Sequence, residues 1–579
     1  MAKNVLALKP FLETIKTYCV KLTKKELIDL LCQAALDTPA EERRNFLEKL
    51  SIASVPSDVH RSAAQDEDVS ILAKTDKLLD DVAAWQKSIE DGSYYEKHWE
   101  DGYCDEEEFP SISKEQQETL ETLFAEADGL FLDGKLELAG NVYQQLIDLA
   151  LHSAGLDYGI DHNDLDVNWR ETLARYCRCV YETSADKERV KQVLSALEVE
   201  RKTEAERQHF GICYNPAEEI FPSLRDVFDV RPGELADWNN FLKKAQKKLH
   251  GLSNSRAVLL YLETVYWLDG IQGLAAAVRQ RNIPVGYLYW LDMLRDGAAW
   301  NELAQAAHEA LHAMPHDALR GYAAAQLSLA GEQTSDNSLV LQGKREQFFS
   351  EPQEEHLAAL LRESAKQQVS EAELSKTLAY LEAKPDPKKP VSSFLQLTQP
   401  DLFFLKIKTM LLLGKLRESY AAIDQKAAIG WSDEKKTTGA VYVGILLVLS
   451  QGNAQAKTIH SLFAKYMRGR YGNAFIADAI QQRLLQFPVS DSQKDQWLKF
   501  VEQISAERAE HIISNQYRKG YARAAEALGG YLECLLLHER RSQAAAFLNL
   551  KRNQQYKRYP AFRRELDEVI SRSPLLTRL

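Results

Sequence analysis

The chain has 579 residues, more than one compact core usually holds, and a formal net charge of -12. That acidic balance excludes a protein that coats nucleic acid or an anionic membrane along its whole length, and leaves local basic patches as the only places where either could be held. Seven scattered cysteines, an odd number without the dense spacing of a secreted disulfide scaffold, point to a reducing, cytoplasmic compartment.

At the amino end only "NVLAL" separates Lys3 from Lys9, an apolar core too short for a signal peptide. The first helix starts are marked by "TKKE", with Thr23 as cap and Glu26 three residues on, and by "TPAE", with Thr38, Pro39 and Glu41 at cap, first and third positions. Apolar residues then recur at helical spacing nearly everywhere, with no series of alternating β-branched runs, so an all-α fold is predicted. The longest apolar run, Gly439 to Leu449, is roughly half of the ~20 residues that a spanning helix needs, and no membrane contact is expected.

Between about Asp66 and Pro110 the character changes, ending in "DGSYYEKHWEDGYCDEEEFP", where aromatics stand among acids. Such a segment either docks on a basic groove of a partner or connects neighbouring helices; its carboxylates lack calcium-loop spacing. From Ser113 the chain reads as helix pairs. In "FAEADGLFLDGKLELAGNVYQQLIDLA", Ala127, Leu130, Gly134, Ala139 and Tyr143 stand where a tetratricopeptide-like hairpin needs small, apolar, turn, small and large residues. "TMLLLGKLRESYAAIDQ" repeats the pattern around Gly414 and Lys415, and "YWLDMLRDGAAWNELAQAAHEALHAMP" repeats it before Pro315. The intervals are irregular, so the predicted architecture is a degenerate tetratricopeptide-like helical-repeat array, an α-solenoid, whose grooves hold partners. The expected division is an N-terminal helical unit over 1–65, the acidic connector over 66–112, the array over 113–507, and basic terminal hairpins over 508–579.

His308, Glu309 and His312 spell H-E-x-x-H, the spacing by which zinc proteases put two imidazoles on one helical face beside a general base. Here Leu303, Ala307, Ala310, Leu311 and Met314 form the packing stripe, His308 and His312 lie beside it, and Glu309 is expected to point towards solvent. Pro315 ends the helix before His316, and none of the downstream Glu332, Glu346 or Glu351 stands out as a third ligand. The second helix of a repeat hairpin, with no metal or other cofactor, is the favoured reading; a zinc-dependent metallopeptidase using these residues is the alternative. No phosphate loop, nucleophile elbow or outstanding carboxylate pair is present, so no enzyme activity is indicated.

The carboxyl end reverses the acidic balance. From Arg508 onward, cations outnumber acids by about two to one and are interleaved with Tyr517, Tyr521, Tyr556, Tyr559 and Phe562. Arg518, Lys519, Arg523, Lys557 and Arg558 are the candidate partner-binding residues. An acidic protein surface is the favoured partner, and nucleic acid, held by phosphate contacts and ring stacking, is the second possibility. A solvated basic face that complements the acidic remainder of the chain is the third reading.

The succession "LRDVFDVRPGELADWNNFL", "GAAWNELAQAAHEALHAMPHDALRGYAAAQ", "GKREQFFSEP", "AAIGWSDEKKTTGAVYVGILLVL", "RAEHIISNQYRKGYARAAEALGGYLECL" and "RYPAFRREL" resembles the helical region that follows the zinc finger in bacterial SWIM zinc-finger family proteins. The resemblance is collinear from about Lys24 to Leu566. It implies a scaffold or adaptor that works beside a separately encoded zinc-finger, helicase or ATPase protein. The family's C-x-C and C-x-H signature is not reproduced. Cys177 and Cys179 supply a C-x-C, but Cys213 is followed by Tyr214 and Asn215, so these cysteines are expected to pack within a helix and the finger to be absent or on another chain.

Overall fold

The computed structural model describes residues 8–25, 27, 60–91, 111–152, 159–199, 220–231, 233–315, 318–383, 402–425, 429–430, 437–468 and 473–579. Among them the chain forms 24 α-helices and no strand, which is the predicted all-α class. No helix among the described residues is long and apolar enough to cross a membrane.

Two compact units divide the chain, Met1–Trp290 and Leu291–Leu579. The boundary expected at 65/66 falls inside the helix His60–Glu90, and the one at 507/508 inside the helix Asp491–Ser514. Composition changes at both points, but no glycine or proline interrupts the backbone there, so the helical hydrogen bonds run on. Residues 92–110 of the acidic connector lie outside the described residues, as do Thr38 and its neighbours.

Unit 1 holds α1 (Leu8–Cys19), α2 (His60–Glu90), α3 (Lys114–Leu132), α4 (Leu136–His152), α5 (Trp169–Thr183), α6 (Arg189–Ala196), α7 (Leu224–Asp229), α8 (Trp238–Leu249) and α9 (Ser255–Arg281). The division falls within α10 (Pro284–Asp296). α3 opens on a capping box between Ser113 and Gln116, which satisfies two of the helix's unpaired amide hydrogens. The α3–α4 hairpin is the one the sequence predicts. Gly134 turns it with φ +82°, and an added Cβ there would lie 2.9 Å from the Arg231 guanidinium. Ala127, Ala139 and Tyr143 are completely buried, so the two helices meet closely at the alanines. Tyr143 donates its hydroxyl hydrogen to Asp128, and Arg175 of α5 pairs with the same carboxylate, which locks the hairpin to the next helix.

In unit 2, α11 (Trp300–Ala313), α12 (Ala318–Thr334), α13 (Asn337–Ser350), α14 (Glu354–Lys366), α15 (Ser370–Ala383) and α16 (Leu402–Leu412) each pack on the next in order. Gly414, at φ +72°, turns the chain into α17 (Leu416–Ala422). The order then breaks at α18 (Thr437–Leu449), in which every residue from Thr438 onward is buried. A helix apolar on all sides must be enclosed on all sides. It is surrounded by α16, α17, α19 (Lys457–Arg468), α20 (Ala474–Leu485), α21 (Asp491–Ser514) and α22 (Tyr521–Leu537). The packing of each helix on the next therefore gives way here to a core with a central helix. α23 (Arg541–Asn549) and α24 (Pro560–Arg572) complete the unit on α22.

Candidate functional site

The H-E-x-x-H sequence lies on α11, and the stripe expected to pack does so: Leu303, Ala307, Ala310, Leu311 and Met314 are all buried. His312 is exposed, whereas His308 and Glu309 are both half-buried. Glu309, expected to point towards solvent, is thus only partly exposed. Gln342 of α13 lies against His308, with 3.4 Å between its Nε2 and the imidazole Nδ1. Burial and the nearby His312 hold the His308 pKa below its ordinary value, against the pull of Glu346. Glu346 is thus the downstream carboxylate nearest in effect to His308, but it already forms an ion pair with Arg320. Among the described residues no group of three or more His, Cys, Asp or Glu side chains is gathered for a metal; His316 lies outside them. What α11 offers chemically is one hydrogen-bonded, largely neutral imidazole beside an exposed one.

Cys177 and Cys179 are both buried on α5. Burial pushes each thiol up to about 12, far from the thiolate that binds zinc or attacks an electrophile. Cys179 packs where a Cβ on Gly140 of α4 would come within 3.2 Å of it, so its role is a close helix contact. Cys213 lies outside the described residues.

The basic end looks different in space than in sequence. Arg508 is 1 % exposed, donates to the Tyr466 hydroxyl and stands 5.3 Å from the centre of that ring. Lys551 is buried and donates to Gln555 at 2.7 Å. Arg540 pairs with Asp495 and Arg552 with Asp567, while Arg541 donates to the Arg578 carbonyl. Two of these five cations are thus buried, and the other three are held by partners nearer the surface.

Arg564 is exposed without a partner among the described residues, and so are four of the five candidate cations, Arg518, Lys519, Lys557 and Arg558. All four are exposed, and none forms an ion pair or side-chain hydrogen bond with a described residue. Arg523, grouped with them from the sequence, is half-buried and already has a partner. The structure brings the two exposed pairs to one end of unit 2 through rings. Tyr521, just after the first pair, meets Phe562 edge-on at 6.1 Å, and Phe562 meets Tyr556, just before the second pair, at 5.2 Å. Tyr556 also donates to Glu510 at the end of α21 at 2.8 Å, and Tyr517 is 40 % exposed beside Arg518. Such a surface can attract an anionic partner by charge, with one ring at its edge for contact area.

Sequence reasoning passed over a second basic face. Lys243, Lys244, Lys247 and Lys248 of α8 are all exposed, and none pairs with a described residue. The signal was visible as "KKAQKK", two lysine pairs one helical turn apart.

Two buried glutamates were also invisible in the sequence. Glu263 of α9, 4 % exposed, accepts the backbone N–H groups of Leu224 at 2.8 Å and Arg225 at 2.7 Å, while Ser223 takes that of Asp226 at 3.1 Å. The first three amide hydrogens of α7 are thereby satisfied. Burial still outweighs those two bonds and raises the Glu263 carboxyl to about 7. Glu533 of α22, fully buried, does the same for α19, accepting from Thr458 and Ile459 at 3.0 Å each, and also takes the Ser573 hydroxyl at 2.6 Å. Each carboxylate is used up in capping a helix, a structural task. No family model, curated protein or solved structure matches the chain.

Proposed function

We propose that this protein is a non-catalytic helical scaffold or adaptor that docks an acidic surface of a protein partner on the basic end of unit 2. The observation that carries this reading is the set Arg518, Lys519, Lys557 and Arg558, exposed and without carboxylate partners among the described residues, at an end where Arg508 and Lys551 are buried and Arg540 and Arg552 are paired. Within a chain of net charge -12, the acidic remainder repels an extended polyanion while the cluster can still attract a local acidic patch, which favours a folded acidic partner over extended nucleic acid. The hairpins at Gly134 and Gly414 and the ordered packing of α11 to α16 support a degenerate tetratricopeptide-like repeat as the origin of the scaffold. Its resemblance to the helical region of bacterial SWIM zinc-finger proteins points to a zinc-finger, helicase or ATPase protein as the class of partner and to the cytoplasm as the place.

The test is charge reversal at all four positions. Recovery of a defined partner in pull-downs should be lost while the melting temperature stays put, because exposed substitutions of this kind change stability by less than about 0.5 kcal/mol. Nucleic-acid binding that persists at physiological salt and disappears in the variant would overturn the reading, since each phosphate contact contributes roughly 0.7 to 0.9 to the salt slope and weak electrostatic binding is gone by then.

A further inference from the structure

The four lysines of α8 form a face that the fold itself does not use. Trp238, Phe241, Leu242, Ala245 and Leu249 are buried on the opposite side of this helix, with Trp238 and Phe241 stacked at 5.1 Å. Lys243 lies one turn before Lys247, and Lys244 one turn before Lys248, so two rows of like charge run along the solvent side, with ammonium groups repeating every ~6 Å. Like charges four residues apart oppose helix formation. Elsewhere the chain relieves such spacing with carboxylates, as in Arg175–Glu171, Arg178–Glu182, Arg225–Asp229 and Arg572–Glu568. On α8 it does not. Lys247 and Lys248 gain from the helix C-terminus, being in its last turn, but Lys243 and Lys244 stand before that turn and have no such return.

We infer that this face of α8 is a docking surface for an acidic helical segment of a protein partner, one carrying glutamates or aspartates at the same four-residue spacing. Two rows of lysine one turn apart meet two rows of carboxylate one turn apart in register. Each ammonium then gains the counter-charge that its own helix withholds. Nucleic acid fits less well. The rings of α8 are on its buried face and leave nothing for bases to stack on, and lysine lacks the fork by which arginine grips phosphate. α8 belongs to unit 1 and the Arg518 cluster to unit 2, so each docking role stands or falls by itself.

The experiment measures fluorescence anisotropy at low salt for a labelled helical peptide with glutamates at two adjacent four-residue rows. A peptide of equal composition with the glutamates spread around the helix, and a single-stranded RNA of equal charge, serve as comparators. The full chain should bind the two-row peptide about tenfold more tightly than the spread one, and the K243Q/K244Q/K247Q/K248Q variant should lose about tenfold, four exposed ion pairs at modest strength each. The R518E/K519E/K557E/R558E variant should bind the two-row peptide as the unaltered chain does. Neutral glutamine keeps helix propensity, and an unchanged circular dichroism spectrum confirms the fold of the variant. Equal affinity for the two peptides, no loss in the α8 variant, tighter binding of RNA than of the two-row peptide, or loss only in the C-terminal variant would each overturn the inference.

Discussion

The two units treat buried charge differently. In unit 2 the buried Lys408 and Glu533 are closely supplied with partners. Lys408, with no exposed surface, reaches Glu354 at 2.5 Å and the Met467 carbonyl at 3.2 Å, and stands 5.0 Å from the Phe404 ring centre. Glu533 there has three donors. In unit 1 Glu263 caps a helix in the same manner with two, and burial raises its pKa to about 7. Glu533 has the Ser573 hydroxyl as a third donor, whereas Glu263 has the like charge of Asp226 nearby. For Glu263, burial outweighs the two amide donors, so helix capping alone does not keep a buried carboxyl ionised.

The largest effect that would sharpen this comparison is Glu354→Ala. It takes the carboxylate away from the buried Lys408 ammonium and from the Asn473 amide, and should destabilise unit 2 by about 3 to 5 kcal/mol in denaturant unfolding. A loss below about 1 kcal/mol would show that the pair is not the support the geometry implies.

Next is the pH response of unit 1. The Glu263 carboxyl in the folded chain keeps its proton up to about 7, whereas the unfolded chain gives it up near the ordinary value. Between those values the unfolded state binds fewer protons, so this group's contribution falls as pH rises and is lost by pH 7 to 8. Glu263→Gln should therefore flatten the fall in stability between pH 5 and pH 8 by roughly 3 kcal/mol at most. Parallel curves for variant and unaltered chain would break the contrast between the two caps.

Glu533→Ala comes third, at about 2 kcal/mol, from two backbone amides and one hydroxyl left without an acceptor. Native-state hydrogen exchange should show faster exchange at Thr458 and Ile459 before elsewhere in α19. Smallest is charge reversal at Lys243, Lys244, Lys247 and Lys248 or at Arg518, Lys519, Lys557 and Arg558, each set shifting stability by less than about 0.5 kcal/mol per residue. A steep loss of stability on reversing the exposed C-terminal cations would mean that they are spent inside the fold, like Arg508.

The sequence by itself determined the helical class, the turns at Gly134 and Gly414, and the buried stripe of α11, because helical spacing and glycine at positive φ are local properties. It also carried the lysine rows of α8, which lie one turn apart on a single helix. Only the tertiary structure decided which charges stay outside. Arg508, Arg540, Lys551 and Arg552 read as surface cations, but their partners Tyr466, Asp495, Gln555 and Asp567 lie on other turns or other helices. The ion pair of Glu346 with Arg320 likewise depends on α12 and α13. α18 carries apolar residues on every side, a pattern that announces burial but not which helices supply it. The division at Trp290 could not be read either, since helical periodicity runs through it unbroken and domain limits depend on which distant residues come to share a core.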